Sequence, residues 1–435
     1  MKEANLLQKK IQNHTAKIGI LGLGYVGLPL ACEFAKAGFP VTGFEVDPAK
    51  VAHLLKGHSY IEDIPEQDLR PLVQKKALGA TTDFSHLRTM DITIICVPTP
   101  LRKTKDPDIS FIAESTKAIA RTLHPQQLVV LESTTYPGTT REFVLPLLEA
   151  KGLKAGKDFY LAFSPERIDP GNKQFRLANT PKVVGGITPA CCRLAAAVYG
   201  SIVTRVVPVS STESAEMVKL LENTFRAVNI GLVNEIALIC DKLHLNVWEV
   251  IEAAASKPYG FMPFYPGPGL GGHCIPIDPH YLSWKMKSLN FSARFIELAG
   301  EVNSHMPEFV REKVVLALNQ RKKPINGAKI LLMGVAYKAN VSDTRESPAL
   351  DLIHLLGEQG ADVAFHDPWV KSVNTGEKHL QSKPYSPALL RSMDAVVVTT
   401  AHRAFDAKQI LQHSRLVIDT RNMMRGLTAK HLVRL

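Results

Sequence analysis

The sequence contains no Cys-x-x-Cys pair, no long apolar run and no dense block of basic residues. Its six cysteines are scattered through 435 residues, so we expect neither a disulfide framework nor a zinc site. No apolar run reaches the ~18 residues that a membrane-spanning helix needs. The polar segment 1–16 also lacks the apolar core of a secretory signal. These absences predict a soluble, cytoplasmic protein with reduced thiols, no bound metal and no membrane partner.

The basic residues are dispersed, although the formal net charge is +11. Short runs such as 321–323 are too small to form the basic stripe of a nucleic-acid-binding protein. A solvated basic surface that attracts small anionic substrates is the better interpretation.

The first motif follows a short apolar strand that begins at about Lys17. Gly22, Gly24 and Gly27 form a Gly-x-Gly-x-x-Gly pattern that leads into a helix, and a second strand (40–44) ends at Glu45. Dinucleotide binding requires this order of elements. The glycines allow a tight turn and a close approach of the backbone to the pyrophosphate, and the carboxylate binds the ribose hydroxyls. The segment therefore predicts dinucleotide binding, and Glu45 favours NAD because it would repel the 2′-phosphate of NADP.

Further strands are predicted at 92–97, 128–131, 160–163 and 182–184, which suits a doubly wound parallel sheet. Ligands bind at the carboxyl ends of such strands. Three loops at these ends are therefore candidates for ligand binding, although each could be an ordinary turn. They are 97–100, 132–135 and 164–168.

One long helix is predicted from Thr212 to about Leu243. Its apolar residues cover more than one face, as in a helix that packs on two sides, so we expect it to connect domains and to form a dimer interface. Lys219 and Asn223 lie one turn apart on the same face. Lys219 is either a buried functional lysine or a surface lysine that extends its ammonium to water.

Residues 266–279 form a glycine-rich stretch that includes Cys274. The glycines would allow a bulky ligand to approach the sulfur. Asp278 and Pro279 resemble the N-cap and first residue of a helix over 280–287, and a helix N-terminus favours a thiolate. Cys274 is therefore either a nucleophile or a small buried apolar residue, and Asp278 could be only a cap.

A second α/β unit is predicted after the helical run 291–318 and the polar boundary 319–327. It begins with a strand at Lys329, lacks the three-glycine pattern and continues with strands at 361–365, 395–399 and 416–419. Ser347 and Pro348 look like an N-cap and a first helical residue. Lys338 and Arg345 lie beside that helix start, which suits a diphosphate, and a capped loop with solvated charges is the alternative.

Together these motifs resemble the UDP-glucose/GDP-mannose dehydrogenase family over essentially the whole chain. The resemblance is carried by six ordered motifs: Gly22–Gly27, Val97-Pro-Thr-Pro100, Ser164-Pro-Glu166, Lys219-x-x-x-Asn223, Gly271-Gly-His-Cys-Ile-Pro-Ile-Asp278 and Lys338–Ser347. The stretch 264–282 is most similar to bacterial members that oxidise UDP-N-acetylglucosamine. UDP-glucose members usually carry a glutamate and a lysine near positions 170 and 265, where this chain has Pro170 and Tyr265.

The resemblance implies an α/β fold with two Rossmann-like, doubly wound parallel-sheet domains joined by a central long-helix region. The expected domains are an NAD-binding domain (1–208), a dimerisation domain with the cysteine loop (209–316) and a UDP-sugar-binding domain (317–435). It implies catalytic roles for Cys274, Lys219, Asn223, Asp278, Glu166 and Thr134. It implies NAD contacts at Gly22, Gly24, Tyr25, Val26, Gly27, Glu45, Pro98, Thr99 and Thr134. It implies substrate contacts at Glu166, Arg167, Lys219, Asn223, Tyr265, Gly271, Lys338, Arg345 and Arg421.

The implied activity is the NAD-dependent, four-electron oxidation of C6 of UDP-N-acetylglucosamine, through a thiohemiacetal and a thioester at Cys274, for surface polysaccharides such as O-antigen or capsule. UDP-glucose, UDP-N-acetylgalactosamine and UDP-N-acetylmannosamine are alternative substrates. A non-catalytic nucleotide-sugar-binding protein and a single-step β-hydroxyacid dehydrogenase are alternatives of other classes. The latter would need neither Cys274 nor the C-terminal unit.

Overall fold

The computed structural model describes residues 4–61, 64–102, 106–168, 172, 174–272, 274–376 and 378–435. The chain forms two compact units. The first comprises Met1–Glu222 with Trp284–Asn290, and the second comprises Asn223–Ser283 with Phe291–Leu435.

The first unit alternates strands and helices. Its elements are α1 Ala4–Gln12, β1 Ile18–Leu21, α2 Gly27–Lys36, β2 Val41–Phe44, α3 Pro48–Leu55, α4 Glu66–Gln74, β3 Leu78–Thr81, β4 Ile92–Ile95, α5 Ser110–Thr122, β5 Leu128–Leu131, α6 Leu145–Glu149, β6 Tyr160–Phe163, β7 Lys182–Gly186, α7 Pro189–Tyr199 and β8 Val206–Val209, with 3₁₀ turns at Phe84–Thr89 and Leu177–Asn179 and a π-helical turn at Thr139–Val144.

Within the described residues these strands form one sheet in the order β3-β2-β1-β4-β5-β6-β7-β8. Every pair is parallel except β6 with β7, where Ala162 pairs with Gly186 in an antiparallel register. The central strands β1, β4, β5 and β6 are buried along their whole length, as expected of a sheet covered by helices on both faces. The predicted sheet is thus confirmed in type, whereas β3, β8 and the antiparallel step were not predicted.

The long helix α8 covers Thr212–Lys242, in agreement with the predicted bounds, and it begins in the first unit and ends in the second. It has buried residues such as Leu220 and Ala237 and exposed apolar residues such as Leu232. The helix therefore buries one set of side chains and leaves a second apolar set at the surface of the chain.

The second unit contains two long helices and a smaller sheet. Its elements are α9 Val247–Ala255, α10 Asp278–Lys287, α11 Arg294–Asn319, β9 Lys329–Met333, α12 Pro348–Glu358, β10 Asp362–His366, β11 Ser372–Asn374, β12 His379–Gln381, α13 Pro387–Ser392, β13 Ala395–Val398, α14 Ala407–His413, β14 Val417–Asp419 and β15 Leu432–Arg434. The last four residues of α10 belong to the first unit.

Among the described residues the main sheet of this unit has the order β10-β9-β13-β14-β15, and all its pairs are parallel. The predicted strands lie where the apolar segments placed them, within one or two residues at each end. The hairpin β11–β12 and the edge strand β15 were not predicted, because these short strands contain at most two consecutive apolar residues. The fold class predicted from the sequence is confirmed. No helix among the described residues is long and apolar enough to cross a membrane.

Candidate functional site

The turn after β1 has two crowded glycines and one open one. A Cβ at Gly22 would lie 2.7 Å from the Cys96 carbonyl oxygen, and a Cβ at Gly27 would overlap the Gly22 oxygen. At Gly24, apart from residues 23–25 themselves, no heavy atom of the described chain lies within 4 Å of that position. The first and third glycines therefore permit the tight turn and the close packing of α2, whereas Gly24 leaves room for a ligand.

The N-terminus of α2 is also available to a ligand. Val26 occupies its N-cap, and no side chain of the described residues caps it. Because the first amides of a helix need partners, an uncapped N-terminus beside an open glycine suits a pyrophosphate. Tyr25 beside it is 46% exposed.

Glu45 lies directly after β2, as predicted, and is buried. One carboxylate oxygen accepts a hydrogen bond from the Leu23 amide at 3.1 Å, and the other accepts from the Val46 amide at 2.9 Å. Lys50 lies 3.6 Å from the same carboxylate. The acid is thus fixed against the glycine turn.

Two of the predicted loops follow β4 and β5, which pair in parallel, so their carboxyl ends lie at the same edge of the sheet. Pro98 is exposed and Thr99 is half-buried after β4, and Thr134 is half-buried after β5. The hydroxyl of Ser133 donates to the Val97 carbonyl at 2.7 Å and joins the two loops.

Glu166, after β6, is buried and belongs to a charged cluster. Its Oε2 accepts from the ammonium of Lys182 at 3.0 Å, and that ammonium also donates to Glu132. The hydroxyl of Tyr199 donates to the other oxygen of Glu132 at 2.5 Å. Burial acts to raise the pKa of Glu166, but Lys182, the Glu132 side chain and the Ile168 amide hold it below its ordinary value.

Arg167 is held within its own unit. Its guanidinium donates to both carboxylate oxygens of Glu222 on α8, at 2.5 and 3.2 Å, and to the Pro181 carbonyl at 2.7 Å. In this structure the residue proposed as a substrate contact therefore ties the Glu166 loop to α8.

Glu216 on α8 fixes the loop that follows Thr134, and sequence reasoning missed it. Its side chain is fully buried and accepts from the amides of Gly138 at 2.6 Å and Thr140 at 2.9 Å, and from the Thr140 hydroxyl at 2.7 Å. Glutamates at a helix start are common, so the pattern gave no sign of this role.

In the second unit, Asn223 and Asp278 are brought together. The Asn223 amide donates to the Asp278 carboxylate at 2.5 Å, and both side chains are buried. The Asp278 amide donates to the Cys274 carbonyl at 2.8 Å, which closes a turn between the two residues. Helix α10 includes Asp278, one residue earlier than predicted. Cys274 is half-buried, and Lys219, one turn before Asn223 on α8, is 8% exposed.

The glycines before Cys274 serve packing inside the second unit. A Cβ at Gly267 would clash with the guanidinium of Arg421, and one at Gly272 would lie 2.8 Å from the Tyr337 ring. Gly271 is similarly crowded by Tyr337. The sequence interpretation assigned this space to a ligand, whereas the structure fills it with side chains of the second sheet's loops. Residue 273 lies outside the described residues.

Two buried asparagines secure this stretch. Asn234 on α8 accepts from the Gly267 amide at 3.0 Å and donates to Asn303 on α11 at 2.8 Å, and Asn303 donates to the Ala227 carbonyl at 3.1 Å. Both side chains would be costly to bury without these bonds. They were missed because single asparagines within a helix carry no distinctive spacing.

The remaining predicted substrate residues lie in the second unit. Tyr265 is half-exposed and stacks on Trp248, with ring centroids 6.2 Å apart. Lys338 is half-buried, and the Arg345 guanidinium pairs with Asp343 at 2.6 Å. The Arg421 guanidinium donates to the Thr399 carbonyl at 2.9 Å, and burial lowers its pKa to about 10.

The loop after β9 is closed by Asp367 and His402, neither of which was predicted as a functional residue. Asp367 accepts from the amides of Val335 at 2.8 Å and Ala336 at 3.1 Å. His402 accepts from the Asn340 amide at Nδ1, so its proton lies on Nε2, which donates to Asp367 at 3.0 Å. An acid directly after the second strand of an α/β unit was the signal that could have identified Asp367.

Among the described residues no group of histidine, cysteine, aspartate and glutamate side chains could hold a metal ion. The open Gly24, the uncapped α2 N-terminus and Glu45 fit a dinucleotide in the first unit. These features define a dinucleotide-binding oxidoreductase fold with a separate cysteine-containing unit.

Comparison with known proteins agrees with a dinucleotide-binding oxidoreductase. Three models of the UDP-glucose/GDP-mannose dehydrogenase family match the chain: the NAD binding domain at residues 16–203, the central domain at 213–305 and the UDP binding domain at 331–426. The chain is 35% identical over 391 residues to the UDP-N-acetyl-D-glucosamine 6-dehydrogenase of Pseudomonas aeruginosa, covering 89% of this chain and 91% of that one.

Two further relatives are named for other activities. The NDP-N-acetyl-D-galactosaminuronic acid dehydrogenase of Ralstonia solanacearum is 34% identical over 430 residues, with 96% of this chain and 98% of that one covered. The structure of the UDP-D-ManNAc dehydrogenase from Pyrococcus horikoshii matches with a TM-score of 0.87 at 33% identity, covering 96% of this chain and 98% of that one.

The chain belongs to the UDP-glucose/GDP-mannose dehydrogenase family. It is an NAD-dependent nucleotide-sugar dehydrogenase, and it contains the family's NAD-binding and UDP-binding domains.

Proposed function

We propose that this protein oxidises C6 of UDP-N-acetylglucosamine to a carboxylate, for use in a surface polysaccharide. The observation that carries this proposal is the buried Asn223–Asp278 pair, which the backbone turn from Cys274 supports. A buried carboxylate and amide next to a half-buried thiol are the groups that a covalent two-stage oxidation needs. The similarity to the P. aeruginosa enzyme supports the choice of sugar.

The oxidation itself is assigned to bound NAD⁺ and three side chains. Bound NAD⁺ supplies the hydride acceptor, and each sugar needs two of them because an alcohol loses four electrons on the way to an acid. The Cys274 thiolate adds to the C6 aldehyde to form a thiohemiacetal, so the aldehyde is not released; loss of the C6 hydride and of the hydroxyl proton then converts the thiohemiacetal to a thioester. Lys219 and Asn223 stabilise the developing oxyanion.

Proton transfer and hydrolysis are assigned to three other residues. Asp278 and Thr134 hold the water or base that takes protons from the hydroxyl. Glu166 accepts a hydrogen bond from the water that cleaves the thioester. Its carboxylate is suited to this role because Lys182 favours its ionised form.

Nucleotide recognition is assigned to two groups of residues. Gly24, the α2 N-terminus and Glu45 bind NAD, with Tyr25, Pro98 and Thr99 beside it. Lys338, Arg345 and Arg421 bind the uridine diphosphate through their charges, with Arg167, Tyr265 and Gly271 lining the sugar site. We also propose the division into domains 1–208, 209–316 and 317–435.

The decisive experiment measures NADH per uronic acid with purified protein and a panel of UDP-sugars, with and without the N-acetyl group. We expect two NADH per product and the highest kcat/KM with UDP-N-acetylglucosamine. One NADH with free aldehyde would refute the covalent route. A preference for the mannosamine or galactosamine epimer, which the relatives keep as alternatives, would refute the choice of sugar.

Variants of two residues test the covalent assignment. Cys274→Ser should accumulate a slowly hydrolysed ester, and full turnover by Cys274→Ala would remove the cysteine from the chemistry. Lys219→Ala should raise the barrier by roughly 3–4 kcal/mol, as when an oxyanion donor is lost. A wild-type rate for Lys219→Ala would end that assignment.

The exposed apolar residues of α8 suit a homodimer. Leu232 and Ile239 expose 54% and 47% of their surface on this helix, and a second copy of the chain would cover them. Leu232→Asp should shift the molecular mass measured by light scattering to that of a monomer. An unchanged mass would place the dimer interface elsewhere.

A further inference from the structure

The first unit buries a lysine between two glutamates. The side chains of Lys182, Glu132 and Glu166 are 4%, 0% and 10% exposed. The Lys182 ammonium donates to one oxygen of each carboxylate, with a distance of 3.0 Å to Glu166. Buried charged groups are rare and costly unless they are paired, so this cluster needs a structural or chemical reason.

Each carboxylate also has a second, different partner. The other oxygen of Glu166 accepts from the amides of Arg167 at 2.7 Å and Ile168 at 2.5 Å. The other oxygen of Glu132 accepts from the hydroxyl of Tyr199, which is fully buried. Both carboxylates are therefore fixed at both oxygens, and Lys182 is the donor that they share.

The cluster contains one cation for two acids, and the pKa values of the two acids are shifted differently. Burial raises the pKa of Glu132 to about 7, against the opposing effect of Lys182. Lys182, the Glu132 side chain and the Ile168 amide together outweigh burial at Glu166 and lower its pKa. The pKa values of the two acids therefore move in opposite directions, and Glu166 is the acid whose ionised form the cluster favours.

We propose that Lys182 is a positioning residue: it holds Glu166 in the orientation needed for thioester hydrolysis, and Glu132 with Tyr199 holds Lys182. The inference rests on the hydrolytic role proposed above for Glu166. In that step water adds to C6, one water proton passes to the Glu166 carboxylate, the C–S bond breaks and its electron pair returns to sulfur. The acid product and Glu166 then lose their protons to solvent.

The test combines rapid mixing with intact-protein mass spectrometry on the full-length enzyme, NAD⁺ and the UDP-sugar. The variant Lys182→Met keeps the length of the side chain and removes its charge. We expect an NADH burst at the wild-type rate, a steady-state rate about 100-fold lower, as for the loss of a general base, and an acyl adduct on the protein. A simple packing defect would slow every step and leave no adduct.

Three further variants make the result interpretable. Lys154→Met is the matched control, because it removes an exposed lysine that pairs with Glu149 in the same unit; we expect wild-type behaviour. Lys182→Arg should restore part of the steady-state rate. If Lys182→Met does not fold, the double variant Lys182→Met with Glu132→Gln removes one buried acid as well, and the same adduct is then expected from it.

The outcomes separate the two proposals. Adduct accumulation in both Glu166→Gln and Lys182→Met supports the positioning role. Accumulation in Glu166→Gln alone, or equal slowing of burst and steady state in Lys182→Met, overturns it and leaves the role of Glu166 intact. If Glu166→Gln itself accumulates no adduct, both assignments fail, while the Cys274 variants still test the covalent route.

Discussion

The first strand of each main sheet is followed by a glycine with a positive φ, +86° at Gly22 and +84° at Gly334. Each glycine packs against the end of a neighbouring strand, since a Cβ would lie 2.7 Å from the Cys96 oxygen or 2.6 Å from Thr400. Each sheet also has an acid directly after its second strand that accepts backbone amides of this turn: Glu45 in one unit and Asp367 in the other. The two units share one local design.

The two units differ in the segment after this glycine. In the first unit α2 begins at Gly27 without a side-chain cap from the described residues. In the second, α12 begins at Pro348 after a longer loop, and Ser347 caps it by accepting from the Ala349 amide, as predicted. The helix after the first turn thus starts without a side-chain cap, whereas the helix after the second is capped by Ser347 and follows a loop that carries Lys338 and Arg345. The same framework can therefore serve two different nucleotides.

The largest effect is expected from alanine at the shared glycines. Gly22→Ala and Gly334→Ala should each lower the free energy of unfolding of their unit by about 2–5 kcal/mol, because a left-handed backbone costs about 1–2 and crowding about 1–3. Hydrogen exchange of β1 and β9 amides would measure this. Gly152→Ala and Gly426→Ala are matched controls with positive φ and, among the described atoms, open space. Equal effects at all four positions would show that crowding plays no part.

The two acids give the next effect. Asp367→Ala should cost about 1–3 kcal/mol, because buried amides lose their acceptor, and should weaken UDP binding while NAD binding persists. Glu45→Ala should weaken NAD binding while UDP binding persists. Calorimetric titration with each nucleotide measures both affinities. Asp362→Ala, an exposed acid at the start of β10, is the control. Loss of both nucleotides in either variant would contradict the independent roles of the two turns.

The helix caps should have a smaller effect. Ser347→Ala should destabilise the second unit by about 1 kcal/mol, the usual value for an N-cap, as measured by urea unfolding. Val26→Ser should bring no gain, because the backbone at residue 26 has φ −99° and ψ −54°, whereas a capping residue needs extended backbone. Stabilisation by Val26→Ser would mean that α2 accepts a cap after all.

Gly24→Ala should have the smallest effect on stability, below about 0.5 kcal/mol, since no described atom lies near the added methyl group. The substitution should raise the Kd for NAD at least tenfold, or about 1.4 kcal/mol, because the methyl group would occupy the side of the turn that faces the ligand. Fluorescence titration with NADH measures it. Unchanged affinity would show that the ligand does not approach residue 24.

Periodic and apolar patterns were sufficient to predict the framework. The buried strands β5 and β6 and the long α8 lie at their predicted bounds, because fully apolar runs and a 31-residue helix leave few alternatives. The antiparallel step between β6 and β7 could not be predicted. Strand direction depends on how the connecting segment returns, and β7 has the same apolar character in either direction.

The motifs that make up the candidate site could be identified from the sequence, whereas residues that act through packing could not. Asn223 and Asp278 are far apart in sequence, yet their motifs placed both in the site and the structure brings them into contact. Lys182, Glu216 and Asp367 act through tertiary contacts that no spacing encodes. The packing of the glycines before Cys274 against Arg421 and Tyr337 could not be predicted from the sequence either.

The cysteines of this chain differ in accessibility, which has a practical consequence for labelling. Cys32, Cys96, Cys191 and Cys240 are buried, and burial also raises the pKa of the half-buried Cys192. An alkylating reporter reacts with accessible thiolates, so Cys274 is the thiol that it should modify first. The wild-type chain therefore provides its own attachment point for a fluorophore or an affinity handle, and protection by bound sugar nucleotide would report site occupancy in unfractionated samples.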